Sequence, residues 1–255
     1  MSGWQALSEE LAQWRDAGRT AELWWRDDDA TDVTPALDRL FALRRETDWP
    51  LALAVMPAQA TAALADRVAG ETGIDVLQHG YSHTNHAPPG DKKTELGLHR
   101  PAMLVMGELG TGWMALERLF GARALPVMVP PWNRIAPPLI PALPEIGFRG
   151  LSTFASRIRA EPVKGLRQIN THVDLKDWKN RRSFVGEEAA LAALVAALRH
   201  SRTATGEPVG LLSHHLAMDE GAWDFLSMLL ANAKKTPGLG VRAAQVLFAS
   251  REARV

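Results

Sequence analysis

The stretch "LWWRDDDATDVTP", residues 23–35, joins a short apolar run to the start of a helix and sets three aspartates at the joint. Thr34 has the character of an N-cap and Pro35 of a first helical residue, so the segment reads as strand, acidic turn, helix. Carboxylates this close raise one another's pKa and cost free energy unless a cation, an arginine or a proton offsets them. Adjacent aspartates are ordinarily a solvated polar loop, and the rest of the chain has to decide between that and a site.

Outward from this unit the same grammar repeats. The apolar runs "ELWWRD", "PLALAVM", "IDVLQH", "PVMVP", "RGLSTF", "RQINTHVD" and "PVGLLSH" alternate with helical patterns such as residues 34–47 and "GEEAALAALVAALRH". Such alternation is the mark of βα units on a parallel sheet, and about seven of them suit an irregular (β/α) barrel better than an open sheet. The chain shows no internal repeat and no long linker, and residues 1–255 are expected to form one domain with an N-terminal helix in 1–20. "HTNHAPPGDKKTELG" is the least regular stretch, and its Pro-Pro-Gly argues for a surface loop at the mouth of the barrel.

Composition sets bounds. The 255 residues carry 29 basic and 29 acidic side chains and no cysteine. A balanced charge gives no footprint for nucleic acid or an anionic membrane, and the lack of cysteine excludes disulfides, thiolate metal sites and cysteine nucleophiles. The first 20 residues have no basic leader or apolar core. Their Trp4, Leu7, Leu11 and Trp14 recur at helical spacing, so a cytoplasmic, amphipathic start is expected. No apolar run approaches the roughly 20 residues that span a bilayer.

The chemically interesting residues all fall at the ends of the strand runs. The aspartates Asp27, Asp28 and Asp29 follow "ELWWR", His79 follows "IDVLQ", and Trp132 and Asn133 follow "PVMVPP". Asp174 closes "RQINTHVD" and His214 closes "PVGLLSH". In a (β/α) barrel the C-terminal strand ends form the face that carries active sites, which moves the triple aspartate from decoration to candidate site. "HGYSHTNH" holds His79, His83 and His86 at spacings that bring imidazoles to one side, and a carboxylate from another strand would complete a metal set. For any single one of these histidines a polar loop role is the plainer reading, and His86 beside the Pro-rich loop is the least constrained.

Taken in order, these motifs resemble the polysaccharide deacetylases, which include chitooligosaccharide and peptidoglycan deacetylases. "RDDDA" resembles their Thr-Phe-Asp-Asp-Gly, "HGYSH" their His-Ser/Thr-x-x-His, "VPPWN" their Arg-x-Pro-Tyr wall, "DLKDW" their Asp and Trp groove motif, and "LSH" their closing Leu-x-His. The span from Arg26 to His215 covers about three quarters of the chain. The resemblance implies a distorted barrel and a metal-dependent hydrolase that takes an N-acyl group, acetyl first, from a sugar or related amide. It implies one divalent metal on Asp29, His79 and His83, zinc first, with Co, Ni, Mn or Fe as alternatives. It implies Asp28 as general base, His214 as general acid, Asp174 beside His214, and Trp132, Asn133, Trp178 and Arg26 toward substrate. The register stays open: Ala30 in the place of the motif's glycine gives Asp28 and Asp29, whereas alignment on the downstream Thr-Pro gives Asp27 and Asp28. Val129 stands where the family's wall carries an arginine, and Arg26 or Arg134 could offset the base from another direction. His215 reads as a hydrogen-bonded core residue.

Two other functions fit the same residues. One is hydrolysis of a non-sugar linear or cyclic amide. The other is a catalytically silent barrel that keeps metal and groove for carbohydrate binding. A serine hydrolase is disfavoured because Ser213 lacks the Gly-x-Ser-x-Gly elbow. The expected partner is a small molecule or an oligosaccharide, without nucleic acid or membrane, and the oligomeric state is open.

Overall fold

The computed structural model describes residues 2–180 and 182–249. In chain order the principal elements are α1 (Gly3–Asp16), β1 (Ala21–Ala30), α2 (Pro35–Thr47), β2 (Leu51–Val55), α3 (Ala62–Ala69), β3 (Ile74–His79), α4 (Ala102–Phe120) and β4 (Ala124–Val129). There follow β5 (Gly150–Leu151), β6 (Arg167–Gln168), β7 (Val173–Asp174), α5 (Glu187–His200), β8 (Val209–Ser213), α6 (Glu220–Ala233), β9 (Leu239–Val241) and α7 (Ala244–Phe248). The strands make one curled parallel sheet in the order β6-β5-β4-β3-β2-β1-β8-β7, with β9 pairing β1. This is an α/β fold of the distorted (β/α) barrel type.

Local sequence explains the elements. Thr34 caps α2 by accepting from the Leu37 N–H, with Pro35 opening the helix, a cap worth about 1 kcal/mol. Helix α1 buries Leu7, Leu11 and Trp14, roughly 1.5–3 kcal/mol each by area removed from water. The count of strands departs from the expected seven because "RQINTHVD" divides into β6 and β7, and because β9 is too short to stand out by pattern. No helix among the described residues is long and apolar enough to cross a membrane.

Strand alternation sorts the wall. On β1, Leu23 and Trp25 join the outer cluster beneath α1, α2, α5 and α6. Trp24 instead joins an inner cluster with Ala52, Ala54, Leu77, Val127 and Val129, closed off by Ala244, Leu247 and Phe248 of α7. Period two therefore directs Arg26 and Asp28 inward and Asp27 outward.

Candidate active site

The three aspartates separate into three environments. Asp27 is fully buried on the outer side of β1, where it accepts from Ser213 Oγ at 2.5 Å, the His215 backbone N–H at 3.0 Å and His215 Nδ1 at 2.5 Å. Trp25 Nε1 donates to Ser213 Oγ at 2.8 Å, completing a dry chain of hydrogen bonds between β1 and β8. Burial works against a charged His215 ring, but the charge and hydrogen bond of Asp27, with the charge of Asp29, raise its pKa above the ordinary value.

Asp28 is held by Arg26 from its own strand. The guanidinium donates Nε to Asp28 Oδ1 at 2.8 Å and Nη2 to Oδ2 at 3.0 Å, a bidentate pair with almost no solvent contact. Its remaining donors reach Ser152 Oγ at 2.7 Å, the Ser152 carbonyl at 3.1 Å and Asn133 Oδ1 at 2.7 Å. Every guanidinium N–H thus has an acceptor, which is what a buried arginine requires. Val129, in the place of the family's wall arginine, packs in the inner cluster, and Arg134 turns away to the Lys93 carbonyl.

Asp29 leaves the strand. Its φ of 76° is left-handed, and the β1–β2 register shifts between Asp27 and Ala30. A bulge there re-aims the side chain toward the barrel mouth. The sequence pointed to Ala30 as the tight position, but the left-handed residue is Asp29, since aspartate tolerates this region better than most non-glycine residues. Its Oδ1 lies 3.1 Å from His79 Nε2 and 3.5 Å from His83 Nε2. One ligand atom from each of the three residues lies within 4.8 Å of the others, and among the described residues this is the one such group.

A cation fits this donor set. Asp29 Oδ1 is buried and takes no hydrogen bond, so a negative oxygen is left facing two imidazoles. His79 Nδ1 donates to the Val129 carbonyl at 3.0 Å, so Nε2 is the ring nitrogen that faces Asp29. Burial opposes ionisation of Asp29, yet its pairing with His79 and the charges of His79, His214 and His83 hold it well below the carboxylate range. Burial likewise opposes a charged His79, but Asp28 and Asp29 draw its pKa upward. Burial and the neighbouring His79 push His83 downward, toward the neutral form that can ligate.

Across the mouth, His214 Nδ1 is buried without a hydrogen-bond partner and stands 3.9 Å from Asp174 Oδ1. Burial raises the Asp174 pKa against the lowering effects of His214, the Lys176 N–H and Trp178. Trp178 Nε1 donates to Asp174 Oδ2 at 2.9 Å and the ring meets His214 edge-on at 4.8 Å, while 45% of the residue stays exposed. Trp132 lies 4.3 Å from His83 between ring centroids. Trp132 and Asn133 are both left-handed, at φ 53° and 55°, a strain of about 1–3 kcal/mol each that holds the indole on the histidine and the amide on Arg26.

His86 is not part of the Asp29, His79 and His83 group; its N–H bonds the Thr94 carbonyl. Sequence reasoning passed over Ser152, which anchors Arg26, and Glu95, which binds the histidine loop, and it weighed Ser213 only as a nucleophile, whereas its hydroxyl bonds Asp27. Gly80, lodged between candidate ligands, was the available signal for Glu95.

A scan of protein-family models returns no match, and a search of curated proteins returns none. Solved structures do match. A Mycobacterium smegmatis protein provisionally described as a polysaccharide deacetylase superposes with TM-score 0.71 at 17% identity, over 93% of this chain and 92% of that one. A peptidoglycan deacetylase from Bacillus subtilis gives 0.56 at 13% identity, over 92% and 93%. A family 4 acetyl xylan esterase from Clostridium thermocellum, in complex with a cobalt ion, gives 0.55 at 13%, over 89% and 90%. The barrel assembled from this sequence is therefore the fold of the polysaccharide deacetylases and family 4 carbohydrate esterases, along nearly its whole length.

Proposed function

We propose that the chain, as one catalytic domain, is a metal-dependent hydrolase that removes an N-acyl group, acetyl first, from a sugar or related amide. The observation that carries this reading is the division of labour among the aspartates: Asp28 is locked to Arg26, whereas Asp29 turns its Oδ1 to His79 and His83 at metal-ligand spacing. The cobalt ion held by the Clostridium thermocellum esterase and the deacetylase names of the other relatives support it.

A divalent ion on Asp29, His79 and His83, zinc first, would supply Lewis-acid polarisation of the acyl oxygen and of a water. The chain's own residues do the proton work. Asp28, aimed by Arg26, accepts a proton from the attacking water as its oxygen bonds the acyl carbon. His214 gives a proton to the nitrogen as the C–N bond breaks, and the products are a carboxylate and an amine. Asp174 lies 3.9 Å from His214 Nδ1 and holds the ring's orientation. Trp132, Trp178 and Asn133 border the place where the substrate lies, with Trp132 and Trp178 offering faces for a sugar ring.

An inner wall without an arginine at Val129 would suit a catalytically silent barrel, but the counter-charge that Arg26 gives Asp28 from β1 favours turnover. The test is acetate release from N-acetylated oligosaccharides by zinc- or cobalt-loaded protein, with N-acetylated non-sugar amines and cyclic amides in parallel. Release from the sugars alone is expected. Turnover only of the non-sugar amides would move the substrate class, and none with any acyl donor would reject the hydrolase.

A further inference from the structure

We propose that Glu95 is the residue that positions His83 as a metal ligand, an inference that rests on the metal site proposed above. Glu95 is 1% exposed and lies beneath the turn between the two histidines. Its Oε2 accepts from the Tyr81 N–H at 3.0 Å, and its Oε1 from the Ser82 N–H at 2.8 Å, Ser82 Oγ at 2.9 Å and the Thr84 N–H at 3.4 Å. Three backbone N–H groups of the loop, at Tyr81, Ser82 and Thr84, therefore converge on one carboxylate. A carboxylate that accepts from several N–H groups at once fixes their directions.

The backbone it holds would not take this path unaided. Gly80 and His83 both have φ of 57°, and a left-handed backbone is uncommon for any residue but glycine, histidine being one of the more tolerant exceptions. Such strain persists only where surrounding contacts over-determine it, and here the Glu95 bonds to Tyr81, Ser82 and Thr84 bracket His83 on both sides. Room for the carboxylate depends on Gly80. A Cβ at that position would lie 2.1 Å from Glu95 Oε2 and 2.5 Å from Pro131 Cγ.

Glu95 is itself anchored to the opposite wall. Leu96 bridges Ile135, and its carbonyl accepts from the Ala136 N–H at 2.8 Å. The loop that carries Trp132 and Asn133 and the loop that carries His83 are thus tied through the adjacent Glu95 and Leu96. Glutamine cannot replace it, because its amide would set N–H against N–H at Tyr81 or at Ser82.

The test compares zinc affinity, by competition with a chromophoric chelator, for wild type, Glu95→Gln, Gly80→Ala and His83→Ala, with the visible spectrum of each cobalt-loaded protein. Glu95→Gln and Gly80→Ala are expected to weaken zinc about 10- to 100-fold, as loss of a group that orients a ligand does, and to move the cobalt bands. A merely structural role would lower the metal-free melting temperature and leave affinity and bands alone; that result overturns the proposal. If His83→Ala binds zinc as tightly as wild type, the metal site itself fails and Glu95 with it. If instead His83→Ala loses zinc and Glu95→Gln does not, only Glu95 is refuted. Should Glu95→Gln not fold, Ser82→Ala removes one donor, and a several-fold weaker site with shifted bands supports the proposal while an unchanged site overturns it.

Discussion

Asp27 and Asp28 are neighbours on β1, and His214 and His215 are neighbours at the end of β8, yet alternation places one aspartate and one histidine on each side of the barrel wall. On the outer side Asp27 and His215 satisfy one another, with Ser213 and Trp25 completing the chain. On the inner side Asp29 Oδ1 and His214 Nδ1 are buried without hydrogen-bond partners, and Asp28 is held by an arginine. The same residue types thus form a closed hydrogen-bonded clamp on one face and, on the other, the arrangement proposed as the active site.

The largest effect expected from breaking this comparison is on turnover. Asp28→Asn should cut it by roughly 10² to 10⁴-fold, measured as acetate release at saturating substrate, with metal content unchanged. Asp27→Asn should instead act mainly through stability. If Asp27→Asn is the inactive, metal-replete enzyme, the two faces have been assigned the wrong way round. The next effect falls on folding: Arg26→Met strands Asp28 as a buried charge and should cost about 3–5 kcal/mol in denaturant unfolding. Arg26→Lys should not restore activity, since a point charge cannot reproduce the bidentate hold.

How much of this was legible beforehand differs by feature. The barrel could be read from alternating runs, because each βα unit writes its own period and caps, and "LWWRDDDATDVTP" carried strand, turn and Thr34 cap together. The candidate positions could be read from their places at strand ends. Their geometry could not. The period of β1 predicts that Asp27 and Asp28 face opposite ways, but only the bulge brings Asp29 back to the mouth, and a bulge depends on pairing with β2. Arg26 could be named as a counter-charge, but its choice over Arg134 depends on Ser152 and Asn133, distant in sequence.

A smaller effect sharpens the outer side. His215 has a raised pKa in the fold, so its pairing stabilises fully below the unfolded value of about 6.5 and is lost as pH rises through the folded value. The unfolding free energy should therefore fall from pH 6 to pH 9 more steeply in wild type than in His215→Gln, by at most about 1.4 kcal/mol per pH unit. Equal slopes would mean that the clamp is not ionic. The smallest effect is at the rim. Trp178→Ala, at a half-exposed position, should change stability by less than about 0.5 kcal/mol while raising KM more than it lowers kcat. A large loss of stability would make Trp178 part of the packing and not of the groove.

The separation of the three aspartates is tested most directly by elemental analysis of Asp27→Asn, Asp28→Asn and Asp29→Asn, purified alongside wild type with zinc present. Asp29 alone faces His79 and His83, so wild type, Asp27→Asn and Asp28→Asn are expected to carry about one ion per chain and Asp29→Asn little or none. Full occupancy in Asp29→Asn, with loss in Asp28→Asn, would contradict the account.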